Sequence, residues 1–316
     1  MLFKSNDYRT ALRINNSRKS ILCFMFGTVL FLFLFNASKL ESATFDKDLM
    51  FEPLFAQAAE AGVDSVFLRK LIDYSGTSFK MKYVKINVSG FLKKPDYSHN
   101  YNKNAVKKSM IFYDKNFDLL DSAERKYSVP KEVITSIMWV ETRHGGYLGK
   151  HHIPSVYLST ATANDSAHIE FNKDVLRDGF KGSKAKLKKL ETKIEKRAAR
   201  KSKWAMKQIK ALQQIDRDSS LNVLNIIGSW AGAFGQSQFL PTSYLSYAVD
   251  GDGDGDIDLF STPDAIFSVA NYLKSNGWRK SMKSHKKAVF HYNNSKAYVA
   301  AVLKLAEKIK AEAGKR

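Results

Sequence analysis

Cysteine is almost missing from this 316-residue chain. Cys23 stands alone, so no intrachain disulfide can form. Alternating Val/Thr runs are scarce while helix formers dominate, which argues against a sheet protein and for a mainly α chain. No internal repeat divides the sequence. Acidic residues are in deficit, 31 against 51 Lys+Arg, leaving a formal net charge of +20. Such a surface attracts polyanions, and charge alone does not choose among nucleic acid, anionic lipid and an acidic wall polymer. Apolar residues make up 44% and aromatic residues 12%, which excludes a disordered composition and supplies a sizeable core. The length suits one large domain or two small ones.

One long apolar run is present, Ile21 to Phe35, behind a leader carrying Lys4, Arg9, Arg13, Arg18 and Lys19. A basic leader before about 15 apolar residues reads as an export signal, and the run is short for a membrane span, which wants about 20. Ser42-Ala43 offers a small residue for cleavage, but Glu41 occupies the −3 position. Residues 1–43 are therefore expected to be a signal peptide or an N-terminal anchor. Either exports residues 44–316, to the periplasm or to its membrane face.

Helices are expected at FEPLFAQAAEAG and VFLRKLIDY, from about Ser109 to Tyr127, from Pro130 onward, and from Ser295 to Glu312. Residues 76–105 show no clear period. A basic stretch, 181–210, keeps Leu187, Leu190, Ile194 and Ala198 at helical spacing. It is expected to be an amphipathic helix inside a basic insertion at about 181–220. Its cationic face is either a solvated surface or a contact for anionic wall or membrane.

The segment VPKEVITSIMWVETRHGGYLGK places Ile134, Ile137, Met138 and Glu141 at i, i+3, i+4 and i+7, on one helix face. Glu141 thus lies on the core-facing stripe, and Gly145 and Gly146 end the helix just beyond it. Burial and the negative end of the helix dipole both favour the protonated carboxyl. A glutamic acid still protonated near neutral pH suits general acid catalysis of glycosidic cleavage. A structural ion pair with Arg143 fits the same pattern.

Gly228–Tyr244, GSWAGAFGQSQFLPTSY, joins small residues to Gln236, Gln238 and aromatic rings, a composition that lets a sugar approach the backbone and stack. DGDGDGDIDLFS places Asp250, Asp252 and Asp254 at positions 1, 3 and 5 of an EF-hand-like loop, with Gly255 at 6 and Ile257 at 8. Ser261 stands where the last ligand belongs, and Asp264 lies three residues on. Clustered aspartates repel one another without a cation, so a structural Ca²⁺ is expected, with Na⁺ as the alternative. No cofactor for catalysis is expected. FHYNNSKAYVAAV carries Tyr292 and Tyr298, which taken alone read as core.

Together, VPKEVITSIMWVETRHGGYLGK, GSWAGAFGQSQFLPTSYLSYAVDGDGDGDID, DAIFSVANYLKSNGW and HYNNSKAYVAAV resemble the membrane-bound lytic transglycosylase B family, in family order from Val129 to Val302. The resemblance implies a lysozyme-like transglycosylase fold for residues 44–316, with an EF-hand-like metal loop. It implies cleavage of the β-1,4 bond between N-acetylmuramic acid and N-acetylglucosamine in peptidoglycan, leaving a 1,6-anhydro end. Glu141 falls on the family's sole acid/base. Ser229, Gln238, Tyr272, Tyr292 and Tyr298 fall on sugar-site residues. Asp250, Asp252, Asp254, Asp256 and Asp264 fall on the metal loop, Asp256 through its backbone oxygen. The chain departs from the family at His144, where Trp or Tyr is usual, and at NDSAHIE, where Tyr-Pro-Arg-Arg is expected.

Three other readings fit parts of the sequence. A lysozyme-type hydrolase needs a second carboxylate, for which Asp165 and Glu170 are nearest in sequence. A non-catalytic wall-binding protein needs no buried acid. A nucleic-acid binder rests on charge alone and conflicts with export. The expected partner is the peptidoglycan glycan strand, met by a monomer.

Overall fold

The structure, a computed structural model, describes residues 47–88 and 96–315. The expected signal or anchor and Cys23 lie outside the described residues. Among the described residues, no helix is long and apolar enough to cross a membrane.

Thirteen helices make up most of this part: α1 (Lys47–Phe51), α2 (Leu54–Ala61), α3 (Ser65–Asp73), α4 (Lys103–Lys115), α5 (Phe117–Tyr127), α6 (Lys131–Thr142), α7 (Ile153–Ala161), α8 (Ser166–Asp178), α9 (Lys184–Asp218), α10 (Pro241–Tyr247), α11 (Thr262–Ser275), α12 (Met282–Tyr292) and α13 (Lys296–Ala313). One antiparallel strand pair, β1 (His151–His152) with β2 (Ile227–Gly228), sets His151 opposite Gly228. Short polar side chains start the helices by accepting otherwise orphaned backbone N–H groups: Asp64, Asn102, Asp165, Ser183, Ser261 and Ser295 do so. The single helix expected over 109–127 is two, because Asn116 leaves helical geometry and its amide bonds the Phe112 carbonyl at 2.8 Å. Pro130 precedes α6 in extended backbone instead of opening it.

Two apolar cores form. The first gathers α1 to α3, α7, the second half of α9 and the loop residues Phe234, Phe239 and Leu259. The second gathers α4 to α6 with α11 to α13. Tyr272 and Tyr292 pack against both, so they mark the seam. Helix α9 has 35 residues, a rod of roughly 50 Å. Ala205, Ile209 and Leu212 join the first core, and Ile194, Ala198 and Ser202 are buried earlier on the same face, all spaced by three or four. Ser202 Oγ also bonds the Ala161 carbonyl and the Gln57 amide. The basic stretch is therefore a core helix through its second half. Leu187 and Leu190 are only half-buried, and the first turns carry exposed lysines. Ion pairs tie that end to α8: Arg177 to Glu191 at 2.6 Å and Lys173 to Glu195 at 2.5 Å.

This division of α9 is testable. Leu212→Ala should cost about 2–5 kcal/mol of stability in urea unfolding, whereas Lys203→Ala on the exposed face should stay within about 0.5 kcal/mol.

Candidate active site

Helix α6 delivers one carboxylate to the seam. Ile134, Ile137 and Met138 are fully buried, and Glu141 follows one turn later on the same stripe. Three successive residues then take left-handed backbone: Arg143 at φ 56°, His144 at 58° and Gly145 at 82°. Two of these are not glycine, and packing must hold them there. Arg143 stacks over Trp139 with 4.5 Å between guanidinium carbon and ring centre, and donates to Asn100 Oδ1 at 2.5 Å and to the Trp139 carbonyl. The His144 ring lies flat on Phe112 at 4.1 Å and donates from Nε2 to the Thr135 carbonyl at 3.1 Å. Burial holds the pKa of His144 down at about 4, so the ring is neutral. His144 thus faces inward. The ion pair considered for Glu141 and Arg143 does not form, since the guanidinium turns to Asn100.

The turn presses the end of α6 against the Gly228–Tyr244 segment. Thr142 Oγ1 donates to the Gln236 carbonyl at 2.9 Å. A Cβ on Gly145 would meet the Gln236 side chain at 3.1 Å. Within the second core, Tyr298 of α13 donates its hydroxyl to Glu141 Oε1 at 2.5 Å. The Tyr97 ring stands at right angles to Tyr298, 5.9 Å away. Tyr292 donates to the Ser237 carbonyl at 2.5 Å. Behind it lies Tyr272, with ring centres 4.7 Å apart, bonded to the His291 carbonyl.

Glu141 sits at the floor of this arrangement, partly open to solvent but closely surrounded by protein. Desolvation raises its pKa to about 7, against a smaller lowering by the Tyr298 hydroxyl. Burial and the Glu141 charge together push Tyr292 and Tyr298 well above the usual phenol range, so both stay protonated donors. Asp165 and Glu170, the candidates for a second carboxylate, have local duties. Asp165 caps α8 through the Ala167 N–H, and Glu170 pairs with Arg177.

Of the expected sugar-site residues, Tyr298 touches Glu141, and Tyr292 lies within reach of its charge. Tyr272 lies one layer back, its ring tilted against that of Tyr292. Gln238 sits at φ 52° and spends its amide N–H groups on the Gly235 and Leu148 carbonyls. Its amide oxygen accepts no hydrogen bond among the described residues. Ser229 Oγ closes a tight turn with the backbone of Ala233. Tyr97 escaped the sequence reading because residues 76–105 carry no periodic signal. Its place beside Glu141 comes from tertiary packing.

In the aspartate loop, Asp250, Asp252 and Asp254 bring one carboxylate oxygen each within 4.8 Å of the others. The Gly253 and Gly255 N–H groups bond Asp250 and hold its pKa low. Asp264 is buried at 2% exposure, and its two oxygens accept from the Gly251 and Asp258 N–H groups at 2.7 and 2.6 Å. It braces the loop onto α11. The exposed Asp256 carboxylate is not part of the convergent trio.

The raised pKa of Glu141 has a consequence for stability. The folded carboxyl keeps its proton to about pH 7, while the unfolded one releases it near 4.5. The stability linked to that proton is full below the lower value and is lost as pH rises through the upper one. Glu141→Gln should therefore melt with the wild type at pH 4 and above it at pH 8, as read by calorimetry.

With this geometry in view, comparison with known proteins is specific. The family described as Transglycosylase SLT domain matches residues 50–289. Membrane-bound lytic murein transglycosylase B of Escherichia coli K12 is 37% identical over 175 residues, 55% of this chain and 39% of the relative, so the match spans well under half of that protein. The SltB3 protein of Pseudomonas aeruginosa, solved in complex with NAG-anhNAM-pentapeptide, superposes with a TM-score of 0.62 at 21% identity, covering 84% of this chain and 79% of that one. An Escherichia coli lytic transglycosylase solved in complex with calcium gives 0.55 at 21% identity, covering 85% and 94%. These structures share the mainly helical fold. The family match takes in Glu141 with its helix α6 and reaches both cores, and the chain belongs to the SLT-domain transglycosylase family.

Proposed function

We propose that this protein is a lytic transglycosylase that cuts the MurNAc-β-1,4-GlcNAc bond of peptidoglycan and leaves 1,6-anhydro-MurNAc ends. The observation that carries this reading is the state of Glu141. It is one carboxyl with a pKa of about 7, bonded by Tyr298 on one oxygen, with no second carboxylate paired to it among the described residues. A hydrolase using the usual pair of carboxylates lacks its partner here.

A single acid of this kind serves both halves of a water-free reaction. Protonated Glu141 gives its proton to the glycosidic oxygen as the C1–O bond breaks. The positive charge at C1 is met by the sugar's own N-acetyl oxygen. The Glu141 carboxylate then takes the proton from the C6 hydroxyl as O6 closes onto C1. The acid is restored, and no water enters. A pKa near the working pH favours both proton transfers. Tyr298 fixes Oε1, while Oε2 accepts no hydrogen bond among the described residues and is left for the proton. Gln238, Tyr272, Tyr292 and Ser229 shape the sugar site around it, and Tyr97 joins them.

The basic leader and the Ile21–Phe35 run support export, which is where peptidoglycan is met. The exposed lysines at the start of α9 suit contact with anionic wall or membrane. Asp250, Asp252 and Asp254 supply the hard oxygen donors that Ca²⁺ prefers, with Na⁺ a weaker candidate. The Asp256 backbone oxygen would add to the set, and Asp264 holds the loop in shape. The ion would neutralise three converging charges in a structural role. The relative solved with calcium supports that choice.

Purified protein incubated with peptidoglycan sacculi should release fragments one water lighter than hydrolytic products in mass spectrometry, and Glu141→Gln should release none. Fragments carrying the full water would identify a hydrolase, and an equally active Gln variant would remove Glu141 from the mechanism. Stripping divalent ions with a chelator should lower the melting temperature, and restoring Ca²⁺ should recover it.

A further inference from the structure

Helices α12 and α13 carry a second feature, on the side that the proposed reaction does not use. Tyr298 meets Glu141 from one face of α13. At about 3.6 residues per turn, Lys296, Val299 and Leu303 fall on the opposite face. There a groove of about 770 Å³ opens between the two helices, which are joined by the short turn at 293–295. Its lining is largely apolar. Met282, 50% exposed, and Phe290, 37% exposed, come from α12, and Val299, Ala300 and Leu303 come from α13. On each helix these residues recur at helical spacing and continue the stripe of an amphipathic face.

The rim is cationic. Lys286 and Lys287 stand on α12, and Lys296 and Lys304 on α13. Among the described residues, none of the four has a carboxylate within 4 Å. Lys304 lies over the Tyr101 ring at 4.7 Å. Glu307 is the one acid at the groove. The imbalance is written into the sequence: from Ala265 to Ala306 the chain has no Asp or Glu, against eight Lys+Arg.

An occupant must therefore be apolar along one side and acidic beside it. A second copy of this chain carries +20 and is repelled, and the leader up to Phe35 sets five cations against Asp7 alone. A lipid gathers its charge at one end, whereas these lysines stand on both sides of the groove and two turns apart along α13. A helix matches both features. Its apolar ridge fits a groove between two helices, and its acids recur along its flanks. We propose that the groove between α12 and α13 docks an acidic amphipathic helix of a partner protein. The docked helix lies on the face of α13 away from Tyr298, so the surroundings of Glu141 stay free.

A display library selected on the full chain tests this. Its peptides are helices about 16 residues long, with Leu at i, i+3, i+4 and i+7 and every other position randomised. Selected helices should carry Asp and Glu beside the Leu stripe. In fluorescence anisotropy they should bind at least about tenfold more weakly to Ala300→Glu, and to Lys286→Glu with Lys304→Glu, because like charges then face each other. Ala300 is exposed, so the first variant should keep its fold. Lys203→Glu with Lys207→Glu, on the exposed face of α9, changes the net charge equally and should leave affinity within about twofold. Selected helices that are not acidic, or that lose as much affinity to the α9 variant as to the groove variants, overturn the proposal. If binding to phosphatidylglycerol vesicles falls in the groove variants while binding of the helices does not, the groove meets lipid and the proposal fails. These are binding ratios, so they stand whether or not the chain cuts sacculi.

Discussion

The hydrogen bond from Tyr298 to Glu141 joins the two things this molecule must reconcile, a desolvated carboxyl and a stable fold. Taking a carboxyl out of water favours its neutral form, and a buried carboxylate without partners is costly. Tyr298 supplies one donor, enough to tolerate the anion and too little to abolish the shift. The donor is itself held from far along the chain, for Ser136 on α6 bonds the Val302 carbonyl on α13 at 2.7 Å. The two helices that carry acid and phenol are thus locked at a fixed register.

Much of this was legible in the sequence, for identifiable reasons. The stripe Ile134, Ile137, Met138, Glu141 is periodic and local, so a carboxylate on a buried face announced itself. The caps at Asp64, Ser183 and Ser295 are local as well. The break at Asn116 was not legible, because an apolar period can run through a residue whose amide leaves the helix for a nearby carbonyl. Tyr97 was not legible because its position is fixed by Tyr298, some two hundred residues away. The aspartate loop was legible as a cluster, but the use of both Asp264 oxygens on backbone N–H groups depends on how α11 meets the loop.

The turn after α6 shows local rules set aside in favour of a site. Arg143 and His144 hold backbone shapes that glycine adopts more readily. Their side chains compensate by stacking on Trp139 and Phe112, contacts a glycine could not make. The result is an abrupt reversal that leaves Glu141 at the helix end and sends the following strand along the Gly228–Tyr244 segment. His144, which replaces a ring expected to face the sugar, serves this reversal from the inside.

Tyr272 and Tyr292 belong to both apolar cores, and Tyr292 ties one core to the backbone of the other through the Ser237 carbonyl. The tyrosine pair beside Glu141 is therefore also the rivet between the halves of the fold. Neither half can loosen alone without breaking it, so melting is cooperative across the seam. The surroundings of Glu141 keep their shape for as long as the protein stays folded, and their lifetime is that of the native state.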